Sequence, residues 1–369
     1  MSGDNVTYDP ATHGHRTWGE ERSPAVNRQQ LQQPVICLSL VVLLLAGCGG
    51  VQAEPTAVPT SVPPTPTPTS TTEAPTLVPP TPTPRSTTAG DSHYRFTLGD
   101  YKCVCLYDGI YSYGLSEKFA GVPREEVQEA LRQHDLPTES ARSPYTFLYV
   151  NTGEHQVLVD LGNGEGVPNA GRLDRSLEAA GIEPEEIDTV IITHAHPDHI
   201  GGTLDADDNL VFARASYYLS KEEWDFWFSE STMDLVPKWH VRLARKSLEA
   251  LQDRITLLEG EAEIVPGIRA IPAPGHTPGH MVVAVSSGDE QLLYIGDTAT
   301  HILHLEHPDW RPSYDILPEE AIASQRQILD LATAEGALVV ATHFFPFPSL
   351  GTVVQKGEGW QWQPIATTE

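Results

Sequence analysis

The chain has 369 residues, with 50 acidic and 23 basic side chains and a formal net charge of −27. Residues 1–90 hold only six of those acids and four of those bases, so the remainder carries 44 and 19, a net of −25. A surface this acidic repels polyanions and argues against nucleic-acid partners, while a segment of about 280 residues buries one substantial core with ease.

The first 48 residues read as a polar extension followed by an export signal. The apolar run over 35–47 has the length of a signal-peptide h-region and is too short for a comfortable membrane span. Residues 1–25 are polar and offer only Arg16 and Arg22 as bases, so the signal is expected to start near Val26, with Arg28 as its basic charge. Leu45-Ala46-Gly47-Cys48 resembles a bacterial lipobox. That resemblance implies a lipid on Cys48, a membrane anchor and a place in the cell envelope; a short uncleaved anchor is the alternative. Residues 49–90 read as a disordered linker. Pro and Thr dominate 54–88, with blocks at 63–68 and 79–84. Such a composition buries no core and favours extended polyproline II, a stalk of up to roughly 100 Å. It would hold the domain over 91–369 away from a membrane. Cys37 leaves with the signal, and Cys103 and Cys105 lie two apart in an expected strand, so no disulfide framework is implied.

Within the domain, Tyr111 and Tyr113 mark a strand end or an entrance loop. Segments 156–160 and 187–193 read as strands flanking a helix over 172–180 that Gly181 closes. Ser220-Lys221-Glu222-Glu223 reads as a capping box opening a helix with Trp224, Trp227 and Phe228 on one face. That face packs into a core or walls an apolar substrate, aided by Phe344, Phe345 and Phe347; Trp224, Trp227 and Phe345 are the substrate-binding candidates. Segments 281–286 and 291–295 flank Ser287-Gly288-Asp289-Glu290, a hairpin signal. A long helix spans 318–335 with Gly336 past its end, and a strand leads to His343.

The densest chemistry lies at Thr193-His194-Ala195-His196-Pro197-Asp198-His199, after the apolar Val190-Ile191-Ile192. His194 and His196 leave a strand two apart and point to the same side, while Asp198 and His199 follow in the turn. Neutral imidazoles and a carboxylate suit zinc, iron or manganese, so one loop offers half-shells for two ions. Further candidates are His276 in a Gly/Pro turn, Asp297 after 292–295 and His343 after 337–341, each in a turn or at the end of an apolar segment.

Over roughly 145–350 the chain resembles metallo-β-lactamase-fold hydrolases, on these motifs together with Val157-Leu158-Val159-Asp160-Leu161-Gly162 and the approach segment 180–190. The resemblance implies an α/β fold, a four-layer αββα sandwich. It also implies two divalent ions, zinc first and manganese or iron next: His194, His196 and His276 on one, Asp198, His199 and His343 on the other, Asp297 bridging. Asp297 argues against class B β-lactamases. The 26 residues after His343 are too few for the glutathione-binding region of glyoxalase II, and the flavodoxin domain of diiron flavoproteins is missing. The branch of N-acyl-homoserine-lactone lactonases and methyl parathion hydrolase is nearest, and the tail from His343 to Gly351 is most like the latter. Thr300 stands where lactonases of this branch often have a Tyr.

The expected reaction is hydrolysis of a lactone, aryl ester or phosphotriester, with a small-molecule substrate. Two cations lower the pKa of a shared water, and Asp198 both holds a metal and handles the proton passing to the leaving group. His280, His301 and His304 are expected beside the ligands rather than among them. A homodimer is compatible with this reading. The alternatives are a metal-binding lipoprotein without turnover and a sulfur dioxygenase with a single iron.

Overall fold

The structure is a computed structural model and describes residues 92–366 apart from Gly166. The signal segment, Cys48 and the Pro/Thr linker lie outside the described residues. No described helix is long and apolar enough to cross a membrane.

Two seven-stranded sheets form the centre. The first runs in chain order through β1 (His93–Leu98), β2 (Tyr101–Tyr113), β3 (Ala141–Asn151), β4 (Gln156–Val159), β5 (Thr189–Ile191), β6 (Ser216–Ser220) and β7 (Ile255–Leu258). Its first four strands pair antiparallel, and β4 to β7 pair parallel. The second holds β8 (Ala262–Val265), β9 (Ile268–Pro272), β10 (Met281–Ser287), β11 (Glu290–Tyr294), β12 (Leu338–Val340), β13 (Leu350–Lys356) and β14 (Gly359–Pro364). Only β11 and β12 are parallel there.

Alternation along β10 explains the layering. Val283 and Val285 join a first core with Leu148, Val159 and Ile191, which share one face of the first sheet, whereas Val282 and Ala284 face Ile328, Leu329 and Ala332 of the helix Pro318–Glu335. Helices Leu173–Ala179 and Lys238–Leu251 bury Leu177, Val241 and Leu248 in the first core. The result is the expected αββα sandwich.

The local signals hold with small shifts. The hairpin pairs Ser287 with Glu290 across a two-residue loop, with Gly288 at φ 59°. Gly336 closes the helix Pro318–Glu335 in the left-handed region. β2 runs to Tyr113, so both tyrosines sit at a strand end. Strand 187–193 shortens to Thr189–Ile191 because the Thr193 N–H leaves the ladder and donates to Asp160 Oδ1 at 2.7 Å.

Two expectations need correction. Ser220 Oγ accepts from the Glu223 N–H at 3.0 Å, but the Glu223 carboxylate does not return the bond, because loops of the site take it up. The aromatics also divide rather than share a face. Trp224 and Phe228 pack against each other half-buried, with centroids 4.7 Å apart and planes tilted by 31°, while Trp227 is fully buried and donates from Nε1 to Glu223 at 2.6 Å. The helix Leu173–Ala179 has no side-chain cap of its own; buried Asp108, at a bulge in β2, accepts from the N–H groups of Arg172 and Leu173 at 2.6 and 2.7 Å.

Candidate metal centre

The ligand candidates converge because four chain segments leave the sheets at one end. The loop after β5 carries His194 and His196, and the short helix Pro197–Ile200 adds Asp198 and His199. His276 lies between β9 and β10, Asp297 just past β11 and His343 just past β12. All but Asp198 are buried. Two backbone approaches permit this. A Cβ on Gly279 would lie 2.0 Å from the Glu223 nitrogen, and one on Gly296, at φ 49°, would lie 2.7 Å from His280 Nε2.

Hydrogen bonds on the outer side decide which ring nitrogens face inward. His199 Nδ1 meets Asp160 Oδ2 at 2.8 Å, His276 Nδ1 meets Asp315 Oδ1 at 2.9 Å, and His343 Nδ1 meets the Pro144 carbonyl at 3.1 Å. These partners accept, so each ring carries a proton on Nδ1 and, in its neutral form, turns an Nε2 lone pair inward. His194 follows the same logic through Thr193. Its Oγ1 donates to Asp160 and therefore accepts from His194 Nδ1 at 3.1 Å. His196 presents Nδ1 instead, 3.1 Å from His194 Nε2 and 2.9 Å from His276 Nε2.

The inward atoms form two groups, His194, His196 and His276 in one and Asp198, His199 and His343 in the other, linked by a third of His194, His199 and Asp297; the ligand atoms within each lie within 4.8 Å of one another. Asp297 faces both. Its Oδ2 is 3.2 Å from His276 Nε2, while Oδ1 is 3.2 Å from His199 Nε2 and 3.0 Å from His343 Nε2. Asp198 Oδ2 completes the second group at 3.7 Å from His199 Nε2 and 3.6 Å from His343 Nε2.

This donor set fits cations. His199 Nε2 and Asp297 Oδ1 are buried atoms without a hydrogen-bond partner, a costly state that a metal ion relieves. Burial, reinforced by neighbouring imidazoles, holds His194 and His196 well below the usual imidazole range, so both stay neutral and ready to ligate. Burial also pulls His199 down, but Asp160, Asp297 and Asp198 reverse it and hold it well above an ordinary imidazole. The second group therefore attracts positive charge. Burial would raise Asp297, yet His343, His199 and His276 keep its carboxyl well below the usual range.

The surrounding carboxylates are what reading the chain missed. Asp160 stands at φ 64° beyond β4 and accepts from Thr193, His199 and Tyr294. Glu223 accepts from Ala195 N, Trp227 Nε1, Thr277 Oγ1 and Gly279 N at 2.6 to 3.1 Å, tying the two ligand loops together. Arg311 Nε donates to Asp315 Oδ2 at 2.6 Å. His280 lies beside the ligands and accepts from the Asp297 N–H at 3.0 Å; His304 donates to the Lys118 carbonyl, and His301 accepts from the Leu303 N–H. Thr300 Oγ1 is 3.4 Å from Tyr314 Oη.

The aromatic candidates sit unevenly. Trp227 packs its ring 5.6 Å from that of His196 but has no exposed surface, so it belongs to the core rather than to a substrate wall. Phe344 is buried against Trp362, and Phe347 packs against Tyr107. Phe345 is half-buried with the Arg142 guanidinium 4.4 Å from its ring, and lines a small surface depression with Leu131, Leu136 and His301. Trp224 stays half-buried on its helix.

The family profile described as Metallo-beta-lactamase superfamily matches residues 141–343, which span every ligand candidate. An N-acyl homoserine lactonase of a Bacillus species is 25% identical over 171 residues, covering 41% of this chain and 62% of the relative. The N-acyl homoserine lactonase of Bacillus thuringiensis is 21% identical over 227 residues, covering 56% and 84%. Among solved structures, AidC, a dizinc quorum-quenching lactonase in complex with a product, superposes with a TM-score of 0.71 at 29% identity, over 75% of this chain and 99% of AidC. The hydrolase AbOPH gives 0.70 at 26% identity, over 76% and 100%. This protein uses divalent metal for hydrolysis, and the chain belongs to the metallo-beta-lactamase superfamily.

Proposed function

We propose that this hydrolase binds two divalent ions, zinc in the first instance, and cleaves an ester-like bond in a small, weakly polar substrate: a lactone, an aryl ester or a phosphotriester. His194, His196 and His276 hold one ion, Asp198, His199 and His343 the other, and Asp297 spans them. The observation that carries this reading is the division of the Asp297 oxygens, one toward each group of imidazoles. Bound there, the two ions supply a hydroxide nucleophile at neutral pH and Lewis acidity toward the oxygen gaining charge.

The chain's own residues do the rest. Asp160 and Asp315 fix the proton on the outer nitrogen of His199 and His276, which keeps the inner lone pairs available. Glu223 locks the 193–199 loop to the 275–280 loop, so the two half-shells keep their spacing. Asp198 is the one ligand candidate with appreciable exposure, its side chain 18% accessible, and Oδ2 faces the ligands. It is therefore placed to accept a proton from the nucleophilic water and pass it to the leaving oxygen.

The lactonase names of the relatives support a lactone, and the net charge of −25 over the domain disfavours polyanionic substrates. Two ions fit this donor set better than the single iron of a dioxygenase, because seven inward ligands exceed what one ion takes up. We place the protein in the cell envelope, exported and anchored through a lipid on Cys48, on the strength of the lipobox-like run alone. Two experiments test the reading. The metal-loaded domain is assayed against lactones, phosphotriesters, aryl esters and β-lactams; turnover of the β-lactams alone would overturn it. Cys48→Ser should abolish labelling by a fatty-acid analogue, and unchanged labelling would remove the anchor.

A further inference from the structure

Beside the metal centre lies a buried charge that the proposed reaction does not use. Lys118, the last residue of the short helix Leu115–Lys118, is 0% exposed. Among the described residues its ammonium has no carboxylate within ion-pair distance. It donates to Tyr314 Oη at 2.9 Å and Ser143 Oγ at 3.2 Å, and lies 4.3 Å from the centroid of the Tyr113 ring. An unpaired buried ammonium is costly, and such groups cluster where a fixed charge serves chemistry.

The surroundings hold it in place. His304 Nε2 donates to the Lys118 carbonyl at 3.0 Å, and Gln325 Nε2 donates to the His304 carbonyl at 2.7 Å. Ser143 Oγ lies 3.5 Å from the carbonyl of His343, so the same cluster touches the segment bearing a ligand. Tyr314 reaches the centre from the other side: its ring stands edge-on to that of His276 at 5.7 Å, and it immediately precedes Asp315, which orients that imidazole. Tyr314 as a residue is half-buried, less enclosed than Lys118.

Hydrogen-bond counting sets the direction of the phenol. An ammonium only donates, so Tyr314 Oη accepts from Lys118 and must send its own proton elsewhere. Among the described residues the alternative is Thr300 Oγ1 at 3.4 Å, too long to hold it firmly. The phenolic O–H is thus polarised by the charge behind it and free to donate to an incoming oxygen.

We infer that Tyr314 is a catalytic residue that donates a hydrogen bond to the substrate oxygen on which negative charge develops as the ester bond breaks, and that Lys118 is its positioning residue. The inference rests on the ester-cleaving reading above and adds a donor outside the metal ligands. Burial lowers Lys118 to about 8, and Asp297 and Asp198 oppose that fall.

The test compares wild type, Tyr314→Phe and Lys118→Met, each with metal content measured, on butyrate esters of 4-nitrophenol, phenol and trifluoroethanol. A donor to the leaving oxygen matters more as that oxygen becomes more basic. Tyr314→Phe should lower kcat/KM on the order of 100-fold for the trifluoroethyl ester but only a few-fold for the 4-nitrophenyl ester, with metal content unchanged. Lys118→Met should steepen the dependence on leaving group in the same direction. Tyr314→Phe removes one oxygen from a half-buried ring and keeps the test open if Lys118→Met does not fold. Wild-type kinetics in Tyr314→Phe, or an equal loss on all three esters, would overturn the inference while leaving the dinuclear reading intact. A wild-type enzyme that holds two ions yet cleaves none of the three would overturn the inference together with the ester-cleaving reading it rests on.

Discussion

Replacing Asp160 by Asn tests whether outer hydrogen bonds set the metal affinity of the second group. The native carboxylate accepts from the Thr193 N–H on Oδ1 at 2.7 Å, and from His199 Nδ1 and Tyr294 Oη on Oδ2 at 2.8 and 3.0 Å. An amide keeps one acceptor oxygen. The buried Thr193 N–H cannot rotate away, so the oxygen is expected to stay there and the NH₂ to face His199. Two donors then oppose each other, and His199 relieves the clash by moving its proton to Nε2, the atom that should face the metal. The affinity of that ion should fall about 10- to 100-fold, or roughly 1.4 to 2.7 kcal/mol, with a smaller change at the other ion, because Thr193 Oγ1, which orients His194, keeps an acceptor in Oδ1 at 3.1 Å. Competition with a chromophoric chelator resolves two binding steps and measures each. Two wild-type affinities, or equal loss at both steps, would refute the reasoning.

Three further outcomes follow from the same geometry. Asp315→Ala removes the partner of His276 and leaves the Arg311 guanidinium without its carboxylate; chemical denaturation of the metal-free protein should show a loss of about 3–5 kcal/mol, and a loss under 1 would contradict the buried pair. Burial lowers His280 and His301 from 6.5 to about 3. The unfolded chain takes up protons below pH 6.5 that the folded one refuses, so each contributes stability at neutral pH that is lost as pH falls, roughly 2 kcal/mol apiece by pH 5. The Tm of the chelated domain should therefore drop between pH 7 and pH 5, and a flat or rising Tm would count against neutral buried imidazoles. Phe345→Ala should raise KM for apolar substrates without altering metal content; unchanged kinetics on every substrate would assign Phe345 to packing against Arg142.

The ligands were legible because the chemistry is local. Six positions hold His194, His196, Asp198 and His199, and the outlying His276, Asp297 and His343 each follow a strand or sit in a Gly/Pro turn. The hairpin and the helix Pro318–Glu335 were legible for the same reason, since Gly288 and Gly336 mark backbone conformations that other residues resist. Partners chosen by tertiary folding were not. Asp160 and Asp315 each lie 39 residues from the imidazole they orient, and Lys118 lies 196 residues from Tyr314. Glu223 looked like a cap because its spacing from Ser220 was right, yet the Thr277 and Gly279 groups, more than 50 residues away, take its carboxylate. Trp227 and Trp224 differ only in what covers them. Helical spacing places a ring on a face, but burial follows from the neighbouring loops.

The most direct measurement is the number of metal ions bound by the domain from Asp91 onward, before and after Asp297→Ala. Elemental analysis of the supplemented wild type should return two ions per chain, and the variant should retain at most one under the same dialysis, because both groups of imidazoles lose the carboxylate that faces them. One ion in the wild type, or two held as tightly by the variant, would contradict a bridged dinuclear centre.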